Sequence, residues 1–339
     1  MPIRVKIADR AAELSSLFQA RHKVFVEEES YLQKTPDGRI FDRFDTYPTT
    51  ANLIAMVDKE VVGGLRLTEG SAAGTPADDF FDFSPYLPHG EERIGTASMF
   101  CMQRAFRNKP RLTYMLICMG VYWSISKGFS HVVAAVNPLI EPMLRAIGFR
   151  PVKPSFHDEK HAVDVLPMLC DLNQVEDQFK EMAKFQGFYG SLRTFEREFY
   201  RSGEQIFCCD ETGDSAYVVV DGTVSVSRLG RRFDDPPVKR VISEFGPGEI
   251  FGEISLLTSK PRSADVFAVT DVDLMVIERP VFHEQLLGNP NLQRKLLELL
   301  GQRLATAYER ISDASSVEGA ARRTTDVQPR SSEDHSSVF

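Results

Sequence analysis

One stretch constrains this chain more than any other: FGEISLLTSKPRSADVFA, from Phe251 to Ala268. Gly252 puts no side chain between the backbone and a close-lying ligand. Glu253 supplies a carboxylate that can accept a ribose hydroxyl. Ile254 to Thr258, with Ser255 among them, are long enough for one helical turn, whose free N–H groups suit an anionic phosphate. Arg262, nine residues beyond Glu253, brings a planar fork of donors to the same phosphate. Ser263 and Ala264 are small and leave room for a base, and an apolar strand, Val266 to Val269, carries the chain away. A Glu and an Arg in a turn would by themselves more often be a surface ion pair. The ordered set is what points to a phosphate and a sugar.

The residues before it agree. EFYRSGEQIF (Glu198–Phe207), ETGDSAYVVVDGTVSV (Glu211–Val226) and EFGPGEIFGE (Glu244–Glu253) alternate short strands with glycine turns. Val218, Val220, Val224 and Val226 are apolar at period two, the pattern of half-buried strands. Asp221-Gly222 is a strong hairpin turn. The order FGE, LL, PRSA resembles the phosphate-binding cassette of cyclic-nucleotide-binding domains, the family of the catabolite activators and of the regulatory subunits of cyclic-AMP-dependent kinase. The resemblance implies a β-roll or jelly-roll domain with flanking helices. It implies a cyclic nucleotide held by Gly252, Glu253, Ile254, Ser255, Arg262, Ser263 and Ala264. Cyclic AMP is favoured because a cyclic-GMP site often has a Thr beside the arginine; cyclic GMP stays open. Asp210 stands where the family often has Gly, a position where Asp tolerates positive φ.

At 339 residues the chain has room for two ordinary domains, and 42% apolar content is enough for packed cores. A net charge of −8 gives no sign of a nucleic-acid partner. No run of eighteen apolar residues and no signal peptide is present, so a soluble, cytoplasmic protein without a transmembrane segment is expected. The five cysteines, Cys101, Cys118, Cys170, Cys208 and Cys209, match neither a zinc site nor a disulfide framework and read as reduced, mostly buried thiols. His157 and His161 are four apart, but Pro154 and the strand-like run that follows argue against a shared helix. No metal is expected, and both, with His89, read as surface or packing residues.

The N-terminal half reads strand (Ile3 to Ile7), helix capped by Asp9 and running to about Glu28, loop (Tyr31 to Tyr47), then two strands (Ala51–Asp58, Glu60–Leu67) turning at Asp58-Lys59-Glu60. A long loop (Gly70 to Pro88), a strand (Arg93 to Met102), a helix (Leu112 to Lys127), a buried strand (His131 to Val136) and a short helix (Pro138 to Ile147) stopped by Gly148 follow. This order resembles the GNAT acyltransferases. The motifs RHKVFVEE (Arg21–Glu28), FDRFD (Phe41–Asp45), VGGLRLTEG (Val62–Gly70) and MLRAIGFRPV (Met143–Val152) resemble its branch of acyl-homoserine-lactone and long-chain N-acyl amino acid synthases. That implies a mixed central sheet with helices on both faces, an α+β fold, over roughly residues 1 to 165. It places Arg21, Phe25, Asp42, Asp45 and Arg66 at the catalytic positions of the branch. Transfer of an acyl group from a thioester to an amine needs a proton acceptor, which a carboxylate can supply, and donors for the developing oxyanion, which backbone N–H groups at a splayed strand can supply. Arg21 or Arg66 could hold a substrate carboxylate or fix Asp42 and Asp45. A structural ion-pair network bracing the loop would use the same four residues.

Two departures matter. IGTASMFCMQ (Ile94–Gln103) puts Thr96, Ser98 and Met99 where lactone synthases carry a Glu and an Arg, which favours the N-acyl amino acid branch or a divergent substrate. The glycine-spaced coenzyme A loop of GNAT enzymes is absent. Arg104, Arg107, Lys109 and Arg111 stand there instead, and could bind a pyrophosphate or the phosphopantetheine of an acyl carrier protein, or be a solvated charge run. The helix face Met115, Cys118, Met119, Tyr122 and Trp123 reads as core rather than acyl tunnel.

The expected organisation is an acyltransferase domain over 1–168, a helical linker over 169–198, a cyclic-nucleotide-binding domain over 199–311 and a disordered tail over 312–339. Val175, Phe179, Met182 and Phe185 give the linker helical spacing. A helix from Asn291 to Ile311 ends the second domain as a candidate lid, with no helix-turn-helix module after it. The whole reads as a bacterial signalling enzyme: an N-acyltransferase controlled allosterically by a cyclic nucleotide. It would take an acyl group from acyl-coenzyme A or acyl carrier protein, pass it to a small amine such as an amino acid, and could form a homodimer. A protein-lysine acetyltransferase, or a catalytically inactive sensor, remain the alternatives.

Overall fold

The computed structural model describes residues 3–71, 74–87, 93–175, 196–230, 238–294, 296–306 and 308. They fall in two compact units, Met1–Phe282 and His283–Phe339. The first unit opens with β1 (Ile3–Ile7) and α1 (Ala11–His22), which continues as a π-turn over Lys23–Glu28. Asp9 does not cap α1. Arg10 holds the cap position, and the Glu13 carboxylate accepts from the backbone N–H groups of Asp9 and Arg10 instead. The Asp9 side chain is drawn off to Lys6, at 3.2 Å.

Two long strands follow, β2 (Thr50–Val57) and β3 (Glu60–Glu69). Their turn places Asp58 and Lys59 at φ of +49° and +73°, the left-handed geometry that matches a hairpin's twist. Gly64 lets α1 lie close on the sheet: a Cβ there would stand 2.3 Å from Leu17 Cδ1. Leu17 and Ala20 bury against Ile54 and Val61 on that face. On the opposite face α2 (Pro110–Ser126) packs Leu112, Leu116, Cys118, Met119 and Trp123 into the main core with Leu65 and Leu67. Its start at Pro110 suits a residue with fixed φ and no N–H to satisfy. The core reading of Cys118, Met119 and Trp123 holds, with Met115 and Tyr122 packed against them.

The next strand, β4 (Ile94–Met102), runs antiparallel to β3 along most of its length. Its parallel neighbour β5 (His131–Val136) pairs with it only at Ile94–Thr96. Beyond Thr96 the two strands part, and Met99 adopts a φ of +50° at a register shift against β3. After β5 come α3 (Glu141–Ile147), β6 (Arg150–Pro151), β7 (Phe156–Asp158) and β8 (Val163–Asp171), which pairs with β5. His157 lies in β7 and His161 in the turn to β8, so the two share no helix.

The remaining strands of the unit are β9 (Arg197–Tyr200), β10 (Gln205–Phe207), β11 (Ser215–Asp221), β12 (Val224–Gly230), β13 (Val238–Phe245), β14 (Ile250–Phe251), β15 (Asp265–Ala268) and β16 (Val272–Glu278), with the short helix α4 (Glu253–Thr258) before β15. Strand β9 pairs with β1, Ile3 facing Phe199. One twelve-stranded sheet among the described residues therefore runs β14-β11-β16-β9-β1-β2-β3-β4-β5-β8-β6, with β7 on β8, while β10-β15-β12-β13 form a second sheet. Phe199 buries in the N-terminal core, and Tyr200 in a separate core with Tyr217, Phe251 and Leu274. The period-two reading of β11 gives way here: Ala216, Tyr217, Val218 and Val219 are all buried, because both faces of this strand are covered.

In the second unit, residues 290–294, 296–306 and 308 are helical. The linker residues 176–195, among them Phe179, Met182 and Phe185, and the tail 309–339 lie outside the described residues, as does His89.

Candidate functional site

The gap between β4 and β5 opens into a cavity of about 820 Å³ with mainly apolar walls. Ala97, Met99 and Phe100 line it from β4, Ala134 and Val136 from β5, and Thr113, Ile117, Gly120, Val121 and Ser124 from α2. The α2 residues belong to a different face from the bulky one read as core.

Asp42 and Arg66 stand on its wall. Arg66 Nη1 donates to Asp42 Oδ1 at 2.6 Å and to Asp45 Oδ2 at 3.0 Å, and its Nε donates to Ser98 Oγ at 3.0 Å. Arg21 Nη1 grips both oxygens of Asp45, at 2.9 and 3.0 Å, while Nη2 donates to Asn52 Oδ1 at 2.6 Å. The loop is closed by its own backbone: the Asp42 N–H donates to Asp45 Oδ2 at 3.0 Å, and the Phe44 N–H to Asp42 Oδ1 at 2.8 Å. Burial pushes the Asp45 carboxyl up, but Arg21 and Arg66 outweigh it and hold the group below its ordinary range. Burial likewise lowers Arg21, against the pull of Asp45.

Arg21, Asp42, Asp45 and Arg66 thus form one network. Of the five residues expected at catalytic positions, Asp42, Arg66 and Phe25 reach the cavity, whereas Arg21 and Asp45 sit behind its wall, almost wholly buried. Asn52 escaped the sequence reading; its signal was a lone amide inside the apolar run of β2. His22, next to Arg21, is itself buried and stands 3.2 Å from Glu27.

The cationic segment is already engaged. Arg107, at the cavity edge, pairs with Glu29 at 2.5 Å and Glu28 at 2.9 Å, and Arg104 lies 3.6 Å from Glu29. Lys109 sits over the Phe106 ring. Arg111 turns away to Asp271, at 3.1 Å.

In the Phe251–Ala268 stretch, Gly252 adopts a φ of +76° ahead of α4. Arg262 Nη1 donates to the Gly252 carbonyl at 2.8 Å and to Ser255 Oγ at 2.9 Å. Its guanidinium lies 4.2 Å from the centre of the Phe207 ring. Gly213 allows this: a Cβ there would stand 2.5 Å from Ser255 Oγ and 2.6 Å from Arg262 Nε. Glu253, Ser255, Arg262 and Ala264 are buried, while Ile254 and Ser263 are exposed. Burial lowers the Arg262 pKa, a cost that a bound anion would offset. Asp210 holds a φ of +68°, and its N–H donates to the Arg262 carbonyl at 2.9 Å.

Among the described residues no group of three or more His, Cys, Asp or Glu is placed to hold a metal ion. No described helix is long and apolar enough to cross a membrane.

Residues 16–171 match the family model of N-acyl amino acid synthase FeeM, and residues 197–289 that of the cyclic nucleotide-binding domain. The cyclic AMP receptor protein of Thermus thermophilus is 34% identical over 119 residues, 34% of this chain and 52% of that protein. The type II regulatory subunit of cAMP-dependent protein kinase from Drosophila melanogaster is 36% identical over 89 residues, 26% of this chain and 22% of that one. The structure of FeeM, an N-acyl amino acid synthase from uncultured soil microbes, matches with 13% identity and a TM-score of 0.44, covering 52% of this chain and 96% of that one. The chain spans about half the length of the first curated relatives it matches.

Proposed function

We propose that this chain, which joins a FeeM-type N-acyl amino acid synthase domain to a cyclic nucleotide-binding domain, is a cyclic-nucleotide-regulated N-acyltransferase. It moves an acyl group from acyl-coenzyme A or acyl carrier protein to an amine such as an amino acid. The observation that carries this reading is the apolar cavity in the gap between β4 and β5, with the Asp42–Arg66 pair on its wall.

The acyl chain lies along the apolar walls, and its thioester sits where β4 leaves β5. There the backbone N–H groups of β4 that β5 does not bond can take up charge on the carbonyl oxygen. The amine meets Asp42, whose carboxylate is fixed by Arg66; Arg21 and Asp45 hold that arginine in place. A buried guanidinium shared between two carboxylates fixes geometry to the tolerance that proximity catalysis requires. In the second domain, cyclic AMP, with cyclic GMP as the other candidate, places its phosphate on Arg262 and Ser255 and its ribose on Glu253. We read the chain as a cytoplasmic bacterial signalling enzyme of GNAT type. Its acyltransferase domain is drawn over 1–168, its linker over 169–198, its nucleotide domain over 199–311 and its tail beyond.

The test offers long-chain acyl-coenzyme A and acyl-loaded carrier protein with a panel of amines, with and without cyclic AMP. Free thiol and N-acyl product are followed together. Product formation whose rate responds to the nucleotide supports the proposal. Thiol release without any N-acyl product overturns it.

A further inference from the structure

We propose that His161, held by Asp158, is the general base that takes the proton from the attacking amine. The inference rests on the acyl transfer proposed above and assigns a step that the Asp42–Arg66 network fills poorly. Asp42 Oδ1 already accepts from Arg66 at 2.6 Å and from the Phe44 N–H at 2.8 Å, and Asp45 is shared between two guanidinium groups. Carboxylates tied to arginines orient a substrate but are weak proton acceptors near neutral pH.

The cavity has a second polar station. His161, in the turn between β7 and β8, lines the same cavity as Asp42. Its Nδ1 stands 2.5 Å from Asp158 Oδ2, and the same carboxylate oxygen accepts the His161 backbone N–H at 3.0 Å. The ring lies 4.5 Å from the centre of Phe80, another cavity residue. Two bonds to one carboxylate and an aromatic neighbour fix the imidazole. With Nδ1 engaged, Nε2 is the nitrogen left for a substrate. A carboxylate behind an imidazole sets its tautomer and stabilises the imidazolium that forms when it accepts a proton. A neutral imidazole nitrogen is the side-chain proton acceptor most often used in general base catalysis. The turn lies beside the gap, since β8 pairs with β5, Leu166 facing Val136 at its open end. Asp158 holds the ring with Lys160 acting on that carboxylate, and the cavity wall carries Asp79 and Asp164, the latter 2.9 Å from His157. The carboxylates among them favour an incoming amine.

The step balances. The amine nitrogen bonds to the thioester carbonyl carbon while its proton passes to His161 Nε2. The C–S bond then breaks, and the imidazolium returns that proton to the departing thiolate.

The test compares the full-length wild type with H161Q and D158N, using an acyl thioester and a hydrazide acceptor, whose own amine stays neutral across the pH range. H161Q keeps a side chain able to bond Asp158. Its kcat should fall ~100-fold or more with little change in KM or melting temperature. The acid limb of the wild-type kcat/KM profile should vanish, and added imidazole should restore part of the rate. D158N should shift that limb and reduce kcat less. An active wild type whose rate and pH profile survive in H161Q overturns this inference alone. A wild type that transfers no acyl group to any amine overturns the proposed function and this step with it.

Discussion

The guanidinium of Arg111, in the first turn of the helix that walls the cavity, stands 3.1 Å from the carboxylate of Asp271, in the turn that follows the strand leaving Arg262. Asp271 also accepts the Ser202 N–H at 3.0 Å, and Asp273 beside it pairs with Arg197 at 3.0 Å. On the proposed regulated-transferase reading, a movement of the segment from Arg262 to Val272 would reach the start of α2 through this pair. The pair is half exposed, so it adds at most ~1 kcal/mol to stability. Arg111→Ala should barely move the melting temperature. It should instead reduce the effect of cyclic AMP on the acyl-transfer rate by ~2- to 5-fold. The check is the ratio of rates with and without nucleotide in wild type, R111A, D271A and the double variant. An undiminished ratio in R111A sends the coupling elsewhere.

Asp45 is the hinge of the buried network, since it alone bonds both Arg21 and Arg66. Asp45→Asn would leave the buried Arg21 facing neutral amides, Asn52 among them, and Arg66 with Asp42 as its carboxylate partner. Removing one partner of a buried ion pair costs ~3–5 kcal/mol. Urea denaturation should show a loss of that order, whereas Asp42→Asn, at a half-exposed carboxylate, should cost ~1 kcal/mol. Equal losses in the two variants would contradict the division of roles drawn here.

The Arg262 cluster was legible because it is written in nearly consecutive residues. Gly252, Glu253 and Ser255 lie at the start of α4 and Arg262 in the loop that follows it, and local spacing alone brings them together. The Arg21, Asp42, Asp45 and Arg66 cluster was readable only through resemblance, since nothing in the spacing of four charges says they will be buried on one another. Other features left no local trace. The β1–β9 pairing joins residues far apart in the chain, as does the contact of Asp271 with Arg111. His161 looked like a packing residue because its partner, Asp158, faces it across a turn rather than a helix. The closing of β11 on both faces depends on a second sheet that no period-two pattern announces.

Where β9 joins β1, Glu196 gives a pH signature. It is buried beside Glu198 and Glu278, and burial outweighs Arg4, 2.7 Å away, to push its carboxyl up to about 7. The folded state then holds this proton more tightly than the unfolded chain. Its contribution to stability is fully present below the ordinary glutamate range and is lost as pH rises through about 7. A shift of that size corresponds to about 3 kcal/mol. Stability measured from pH 5 to 8 should fall for wild type and fall less for Glu196→Gln. Parallel profiles would show that Glu196 stays charged throughout.

Arg262 offers one guanidinium nitrogen to Gly252 and Ser255 and rests on Phe207, all within the buried clasp. Arg262→Leu keeps the apolar stem against the ring but leaves a phosphate without its charged partner. Affinity for cyclic AMP should drop by ~2–4 kcal/mol, read by calorimetry. The basal acyl-transfer rate should remain. Unchanged affinity would place the phosphate somewhere other than Arg262.

The cavity should also set how long an acyl chain the enzyme accepts. Val121 lies on the face of α2 that lines it, in contact with the apolar core yet facing open space. Val121→Phe adds ring volume where the chain would run. Each methylene kept from apolar contact costs about 0.8 kcal/mol, so even two displaced carbons would lower the efficiency of the longest substrates by ~10-fold or more. Short acyl groups, which end before the new ring, should be spared. A series of acyl thioesters of rising length, assayed with wild type and V121F, should therefore show a shift in preference toward shorter chains rather than a uniform loss. A uniform loss would mean that the chain does not run along α2, and that the apolar volume there serves packing rather than the substrate.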